Sequence, residues 1–226
     1  MKYRALFLDF YGTLVSEVDT AIEGICSRVS GVSEESKRRF WERWSRAFAE
    51  TCLNSYGETF RTQREIEVAT LSATMAELSL SGDPVKESEE LYDYWMRPAA
   101  FPESSDFLSA CPVPICIVSN IDTDDFLAAA ETNGWTFENV ITSESARSYK
   151  PRTEMFTAAL ALMELEPSSV LHVGDSLSSD IRGAAAAGID TAWINRKEGK
   201  LPEAHVSPTF EFSNLSELLK FLRESS

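Results

Sequence analysis

The stretch that decides the fold is Tyr3-Arg-Ala-Leu-Phe-Leu-Asp9-Phe-Tyr-Gly-Thr-Leu14. Its first half is a short apolar run, which predicts a strand buried on both faces, as in parallel sheets. The run ends at Asp9, and a turn that contains Gly12 follows. In an open parallel sheet, ligands bind beyond the carboxyl ends of the strands. Asp9 is therefore the first candidate for a functional residue.

Four later segments repeat the pattern of a short apolar run followed by a polar or glycine-containing turn. They span residues 113–118, 139–142, 170–173 and 191–194. Helical patterns alternate with them at 125–133, 153–163 and 179–187, and the leucines of 215–222 mark a closing amphipathic helix. This alternation predicts an α/β fold, a Rossmann-like, doubly wound parallel sheet with helices on both faces.

The middle of the chain has a different pattern. From about residue 16 to residue 99 the strand signal is absent, and Phe40, Trp44 and Phe48 recur at helical spacing. Serine and proline residues near 33–36 and 81–84 supply helix starts and breaks. We therefore predict an inserted helical domain at 16–99, with a discontinuous core of residues 1–15 and 100–226.

The composition excludes several classes of function. Among 226 residues, 21 Lys and Arg oppose 36 Asp and Glu, and a net charge of −15 disfavours nucleic-acid and membrane partners. No apolar run is long enough to span a bilayer, and the first run lacks a signal-peptide cleavage site, so a cytoplasmic location is predicted. The four cysteines form no Cys-x-x-Cys pair and are expected to be reduced. Two histidines, His172 and His205, make a histidine triad or a multi-histidine zinc site improbable.

The insert contains a basic cluster, with seven Lys or Arg residues between 37 and 64. A solvated helix face balanced by neighbouring glutamates is the favoured interpretation. The alternative is that one or two arginines bind an anionic substrate. The candidates are Arg43, Arg46, Arg61 and Arg64.

Polar residues that come after the predicted strands are expected to converge at one edge of the sheet. They are Asp9, Ser119, Asn120, Lys150, Asp175 and Asp180. Each signal is weak alone, because an aspartate at a strand end is often only a helix cap. Together they suit phosphoryl transfer, which uses a carboxylate nucleophile, a divalent cation bound by oxygens, and cations around the phosphate.

These segments resemble the four motifs of the haloacid dehalogenase superfamily. The matching stretches are 9–14, 118–120, 150–151 and 174–180, and the helical insert resembles the cap domain of the family. The resemblance implies that Asp9 is a nucleophile that forms a covalent intermediate. It also implies that Mg²⁺ is held by the carboxylates of Asp9 and Asp175 and by the backbone carbonyl of Tyr11.

The remaining site residues receive their roles from the same resemblance. Ser119 and the backbone amide of Asn120 would bind the transferring group. Lys150 would neutralise charge on that group and on Asp9. Asp180 would orient Lys150 or a metal-bound water.

Tyr11 breaks the phosphatase pattern of the superfamily. Phosphatases of the superfamily carry a second aspartate at this position as general acid and base, whereas its 2-haloacid dehalogenases begin with Asp-x-Tyr-Gly-Thr and use no metal. Gly174-Asp175-Ser176 argues the other way, because the dehalogenases lack this aspartate. The segment 174–193 resembles the small nucleotidases, and Trp193-Ile-Asn-Arg196 fits either branch.

The sequence thus favours a Mg²⁺-dependent phosphatase that acts on a small phosphorylated metabolite or nucleotide. The first alternative is a metal-independent 2-haloacid dehalogenase. A second is a degenerate member that binds a ligand without turnover. A carbon–phosphorus hydrolase ranks last, because it needs a cap lysine and the insert offers only Lys37 and Lys86. The expected partner is a small anionic substrate, and the oligomeric state is left open.

Overall fold

The computed structural model describes residues 2–17, 19–31, 33–202 and 206–224, so His205 lies outside the described residues. Within these ranges, six parallel strands form one sheet in the order β3-β2-β1-β4-β5-β6. The strands are β1 (Ala5–Leu8), β2 (Ile115–Ser119), β3 (Asn139–Thr142), β4 (Val170–Gly174), β5 (Asp190–Ile194) and β6 (Phe210–Phe212). The helices are α1 (Asp19–Ser30), α2 (Glu34–Asn54), α3 (Gln63–Glu77), α4 (Pro84–Met96), α5 (Ser104–Ala110), α6 (Thr123–Thr132), α7 (Ser143–Ala146), α8 (Glu154–Met163), α9 (Arg182–Ala186) and α10 (Leu215–Glu224).

The sheet grows outward from β1 in two directions. β1 pairs with β2 on one side and with β4 on the other, so Leu8 lies level with both Ile117 and Val173. The chain builds β2 and β3 on one side of β1 and then β4 to β6 on the other. This reversal places a ligand crevice beyond the carboxyl ends of β1 and β4. Asp9 and Asp175, the first residues after these two strands, therefore lie at the crevice.

Alternate residues of β1 enter two separate cores. Leu8 packs in the same cluster as Phe126 of α6 and Leu218 of α10, whereas Phe7 packs with Phe156 of α8. A strand buried on both faces must be apolar throughout, which is why β1 shows no polar alternation. Helices therefore cover both faces of the sheet, and the predicted doubly wound α/β fold is confirmed.

Helices α1 to α4 lie between β1 and β2, and the described part of residues 16–99 contains no strand. The Ser33 side chain caps the first turn of α2, and Asp83 caps α4, as the sequence indicates. Phe40 and Trp44 of α2 are buried, as expected of core residues. We call α1 to α4 the cap.

Some elements differ from the sequence prediction. β6, α5 and α7 were not predicted, since three strand residues or one to two helical turns show too little periodicity to detect. The helix expected at 179–187 is a π-helical turn, Leu177–Ile181, followed by α9. The Ser176 side chain accepts the amide of Ser179 and starts this turn directly after β4.

None of the described helices combines the length and apolarity needed to cross a membrane. All four cysteines are unpaired, as the sequence indicates.

Candidate active site

Lys150 lies at the centre of the converging polar residues. Its ammonium donates to Oδ1 of Asp9 at 2.6 Å, to Oδ1 of Asp180 at 2.6 Å and to the carbonyl of Val118 at 2.8 Å. The side chain is buried, and these three acceptors use all three of its protons. Lys150 therefore fixes the relative positions of two carboxylates that lie 171 residues apart in sequence.

Burial and charge act in opposite directions on this cluster. Burial alone would lower the pKa of Lys150, but the charges of Asp180 and Asp9 outweigh it and raise that pKa. Burial alone would raise the pKa of Asp180, but Lys150 outweighs it and holds the pKa well below its usual range. Lys150 and Asp180 are thus both charged at neutral pH.

Asp9 follows β1 directly and is buried. Its Oδ1 accepts from Lys150, and its Oδ2 accepts from the hydroxyl of Thr13 at 3.2 Å. Burial raises the pKa of Asp9 to about 6, against the lowering effect of the Lys150 charge. Asp9 is therefore mostly ionised at pH 7 and poorly hydrated, which are the properties of an activated carboxylate nucleophile.

Asp175 completes a group of three carboxylates. Asp9, Asp175 and Asp180 each offer one oxygen, and these oxygens lie within 4.8 Å of one another. Within the described residues, no hydrogen bond or ion pair engages the Asp175 carboxylate. Burial first, and then the charge of Asp9, raise the pKa of Asp175 well above its usual range.

The turn after Asp9 is shaped to admit Asp175. Gly12 has φ +83°, and a Cβ at this position would lie 2.5 Å from the Asp175 carboxylate. Only glycine allows both the left-handed backbone and this approach. The carboxylate oxygens of Asp9 and Asp175 are the kind of ligand that a hard divalent cation such as Mg²⁺ prefers. The chemistry of these two predicted ligands therefore fits Mg²⁺.

Asp180 has two further partners besides Lys150. Its Oδ1 lies 3.1 Å from Nε2 of His172, and its Oδ2 accepts from the amide of Ser176 at 3.0 Å. Burial lowers the pKa of His172, so its ring is neutral and donates from Nε2 to the ionised Asp180. A Cβ at Gly174 would lie 2.3 Å from Cγ of Asp180, so this close approach also requires glycine.

His172 is a site residue that no sequence pattern indicated. It lies inside the apolar run of β4, where a single histidine gives no pattern of its own. The signal that could have found it is its spacing of two residues from Gly174, which puts both residues on the same face of β4. The rings of His172 and Phe156 meet edge to face at 4.9 Å.

Ser119 and Asn120 end β2 beside Lys150. Asn120 binds the main chain of Lys150 twice, accepting from its amide at 2.7 Å and donating to its carbonyl at 3.1 Å. The Asn120 side chain thus holds the lysine segment in place. Ser119 is buried, lines the adjoining cavity and makes no side-chain hydrogen bond to the described residues, so its hydroxyl is free for a ligand.

A cavity of about 440 Å³ lies between this cluster and the cap. Its cap side is mostly apolar, and the residues that form it are Ile22, Trp41, Phe48, Gln63, Tyr94 and Trp95. Of the described residues that line it, Lys150 is the only cation, against Asp9, Glu17, Asp175 and Asp180. The cavity therefore combines a charged floor with an aromatic roof.

Arg43 and Arg46 do not reach this cavity, in contrast to the sequence hypothesis. Trp41 of the same helix lines the cavity, and at 3.6 residues per turn these arginines lie about 160° and 140° around α2 from it. Both are exposed, and Arg43 forms an ion pair with Glu77 of α3. They belong to the solvated face of the cap.

The other two basic candidates also have protein partners. The Arg64 guanidinium forms an ion pair with Asp125 of α6 and lies 4.3 Å from the ring centroid of Tyr92. Arg61 is exposed and donates to the carbonyl of Glu65 at 3.0 Å. Neither lines the cavity.

Tyr11 lines the cavity, but its hydroxyl is committed elsewhere. It donates to the carbonyl of Trp95 at the end of α4, at 2.5 Å. Burial, followed by the charge of Asp125, raises the pKa of this phenol further above its already high usual value. Tyr11 thus joins the cap to the turn after β1. Its phenol is a poor proton donor for a leaving group at Asp9.

A family model of haloacid dehalogenase-like hydrolases matches residues 3–188. The chain therefore belongs to this family of hydrolases, as its four motifs indicate.

The similar proteins include both haloacid dehalogenases and a phosphatase. The chain is 25% identical over 223 residues to an (S)-2-haloacid dehalogenase of Pseudomonas fluorescens, covering 96% of this chain and 95% of that enzyme. It is 33% identical to a ribulose-1,5-bisphosphate 5-phosphatase of Halopiger xanaduensis, but over 129 residues, 56% of this chain and 47% of that enzyme. In fold, it matches the L-2-haloacid dehalogenase RSc1362 with a TM-score of 0.81 at 21% identity, covering 99% of this chain and 100% of that one.

Proposed function

We propose that the chain hydrolyses a small substrate by nucleophilic displacement, with Asp9 as the nucleophile, and that 2-haloacids are its substrate class. The observation that carries this choice is the hydrogen bond from the Tyr11 hydroxyl to the Trp95 carbonyl. It leaves no acid at the position from which a phosphatase would protonate its leaving group. A halide needs no proton to leave. The whole-length likeness to an (S)-2-haloacid dehalogenase supports this alternative over the phosphatase that the motifs favour.

The proposed reaction has two steps. An oxygen of Asp9 attacks the carbon that bears the halogen, a carbon–oxygen bond forms, and the halide leaves with the bonding electron pair. Water then hydrolyses the resulting ester, which releases a 2-hydroxy acid and a proton and restores Asp9. Lys150 holds Asp9 in position, and the aromatic roof limits the access of other water during the first step.

A Mg²⁺-dependent phosphatase is the second candidate, and Asp175 favours it. A half-buried carboxylate without a protein partner, close to Asp9, has the properties of a cation ligand. Asp9, Asp175 and the Tyr11 carbonyl would hold Mg²⁺, which would neutralise charge on the phosphate. Because Tyr11 supplies no proton, this enzyme would prefer aryl or acyl phosphates to alkyl phosphates.

The two candidates are separated by assaying halide and phosphate release side by side. The substrates are the two enantiomers of 2-chloropropionate, p-nitrophenyl phosphate and acetyl phosphate, each with Mg²⁺ and with EDTA. We expect halide release that EDTA does not reduce. Phosphate release that requires Mg²⁺, without halide release, would establish the second candidate and overturn the first.

The variant Asp175→Asn sharpens this test. Without a cation, burial and the charge of Asp9 raise the pKa of Asp175 and so favour its protonated form, which an amide resembles in shape and charge. A dehalogenase should therefore keep its rate within about threefold, whereas a Mg²⁺-dependent phosphatase should lose on the order of 10²-fold or more. Asp9→Asn is the control, since it should abolish either reaction.

A further inference from the structure

The segment Trp193–Arg196 at the end of β5 contacts the main chain of the two loops that carry Asp9 and Asp175. The Arg196 guanidinium donates from Nη2 to the carbonyl of Thr13 at 2.7 Å and from Nε toward the carbonyl of Gly12 at 3.4 Å. Both carbonyls belong to the turn after Asp9. Arg196 does not line the substrate cavity but a neighbouring one of about 510 Å³, which shares Asp175 with it, and its hydrogen bonds go to the main chain of this turn.

Arg196 is itself held rigidly. Its Nη1 donates to Glu103 at 2.6 Å, and its guanidinium lies 3.6 Å from the ring centroid of Phe101. Its side chain is only 19% exposed. A planar donor fixed by an ion pair and an aromatic ring is suited to holding carbonyl groups in one place.

Trp193 makes the corresponding contact to the loop after β4, which carries Asp175. Its indole N–H donates to the carbonyl of Asp175 at 2.8 Å, and it pairs in register with Gly174 across β4 and β5. Trp193 is buried, and this bond is partly buried. One short segment thus binds the main chain of both loops that carry the carboxylates.

We propose that Arg196 and Trp193 are positioning residues, which fix the distance between the Asp9 turn and the Asp175 loop. Arg196 acts through Thr13, whose carbonyl it binds and whose hydroxyl donates to Asp9 at 3.2 Å. The inference rests on the proposal that Asp9 is the nucleophile, and it holds for either substrate class. A nucleophile displaced by about 1 Å can lose on the order of 10²-fold in rate.

The test compares Arg196→Met with Arg152→Met. Arg152 is a matched control, because it also pairs with a glutamate, Glu154, and also lies 3.6 Å from an aromatic ring centroid, that of Tyr56. Among the described residues, its side chain donates to no loop carbonyl. On the substrate found by the release assays, Arg196→Met should lower kcat by about 10- to 100-fold with KM within about twofold. Arg152→Met should leave both unchanged.

Two further variants make the outcome decisive. Arg196→Lys keeps a charged donor and should recover part of kcat, and Trp193→Phe removes the indole N–H with part of the ring but keeps an aromatic side chain and should lower kcat more mildly. Assays are run well below the unfolding midpoint of each variant. If Arg196→Met does not fold, these two variants carry the test, and wild-type kcat in both would overturn the proposal.

Coupling to Thr13 separates positioning from simple stabilisation. The losses of Arg196→Met and Thr13→Ala should not add in the double variant, because both act through one contact to Asp9. Fully additive losses, or a kcat for Arg196→Met equal to that of Arg152→Met, would overturn the proposal. An Asp9→Asn variant that retained activity would instead refute the underlying function.

Discussion

Lys150 is the residue on which the charge balance of the site depends. It is the one buried cation that touches Asp9 and Asp180 among the described residues, and removing it leaves two carboxylates without their shared partner. Lys150→Ala should therefore lower turnover by more than about 10²-fold and the free energy of unfolding at pH 7 by about 3–5 kcal/mol. Urea denaturation and steady-state kinetics measure the two effects.

Lys220→Ala is the control for that prediction. Lys220 forms an exposed ion pair with Glu224, with the lysine side chain 77% exposed, so its loss should be within measurement error. Equal stability of both variants would show that the buried pairs contribute no more than a surface pair.

Glu67 makes the stability of the cap depend on pH. It is buried on α3, and the Ser88 hydroxyl of α4 donates to its carboxyl group at 3.4 Å. Burial raises the pKa of Glu67 to about 8, against the lowering effect of that bond. Between the unfolded pKa of about 4.3 and this value, the unfolded state releases the proton and the folded state keeps it. The free energy of unfolding should therefore fall as pH rises through this window, by up to about 1.4 kcal/mol per pH unit.

The variant Glu67→Gln should remove this slope, because an amide does not titrate. Denaturation of both proteins between pH 5 and 8.5 should show the variant gaining stability over wild type as pH rises. Glu89→Gln, at an exposed position on α4, serves as the control and should track wild type throughout. A constant difference between Glu67→Gln and wild type would contradict the prediction.

At single positions, the sequence was informative where a residue lies beyond the end of a strand. Asp9, Lys150 and Asp180 are brought together, because parallel strands deliver the residues after them to one edge of the sheet. Arg43 failed as a cavity residue, because a cluster of charges does not reveal which face of a helix it occupies. His172 was missed, because its partner Asp180 reaches it through a π-helical turn that no periodicity indicates.

At the scale of elements, a polar contact between α3 and the start of α6 helps to hold the cap onto the sheet domain. Asp122, just before α6, accepts from the backbone amides of Gln63 at 2.7 Å and Arg64 at 3.0 Å. The Arg64 side chain pairs with Asp125. Acceptors at a helix N-terminus stabilise it, so the core supplies the first turn of α3 with its missing partners.

Weakening this contact should loosen the cap without touching the reacting groups. Arg64→Met should raise KM by about three- to tenfold with a smaller effect on kcat, since an open cap leaves the substrate site incomplete. Arg43→Met is the matched control, because the Arg43–Glu77 pair lies wholly within the cap. An unchanged KM in Arg64→Met would show that the ion pair does not control the cap.

The elements themselves were predictable where burial is complete. Strands β1, β2, β4 and β5 are apolar runs covered on both faces, and helices α6, α8 and α10 carry clear amphipathic or apolar patterns. β6 pairs only with β5 among the described strands, at the edge of the sheet, and its three residues are incompletely buried, so its sequence carries little constraint. The pairing partner, and not the local pattern, makes it a strand.

At the scale of the whole molecule, the fold leaves the reaction open and two residues separate the candidates. The same sheet and cap accommodate Tyr11, which favours a leaving group that needs no proton, and Asp175, which favours a cation. Function on a shared fold resides in such local differences. This is why the whole-length likeness points to a dehalogenase, whereas the motifs are divided between the two enzymes.

The net charge of −15 should make capture of an anionic substrate depend on salt. At low ionic strength the field of the whole protein extends about 30 Å and repels an anion, whereas at physiological salt it is screened within about 8 Å. Raising sodium nitrate from about 10 to 150 mM should therefore increase kcat/KM by about two- to threefold, entirely through a lower KM. The buried charges around Lys150 are screened little, so kcat in the same series is the internal control and should stay constant. A fall of kcat/KM with salt would mean that attraction by Lys150 outweighs the repulsion of the remaining surface.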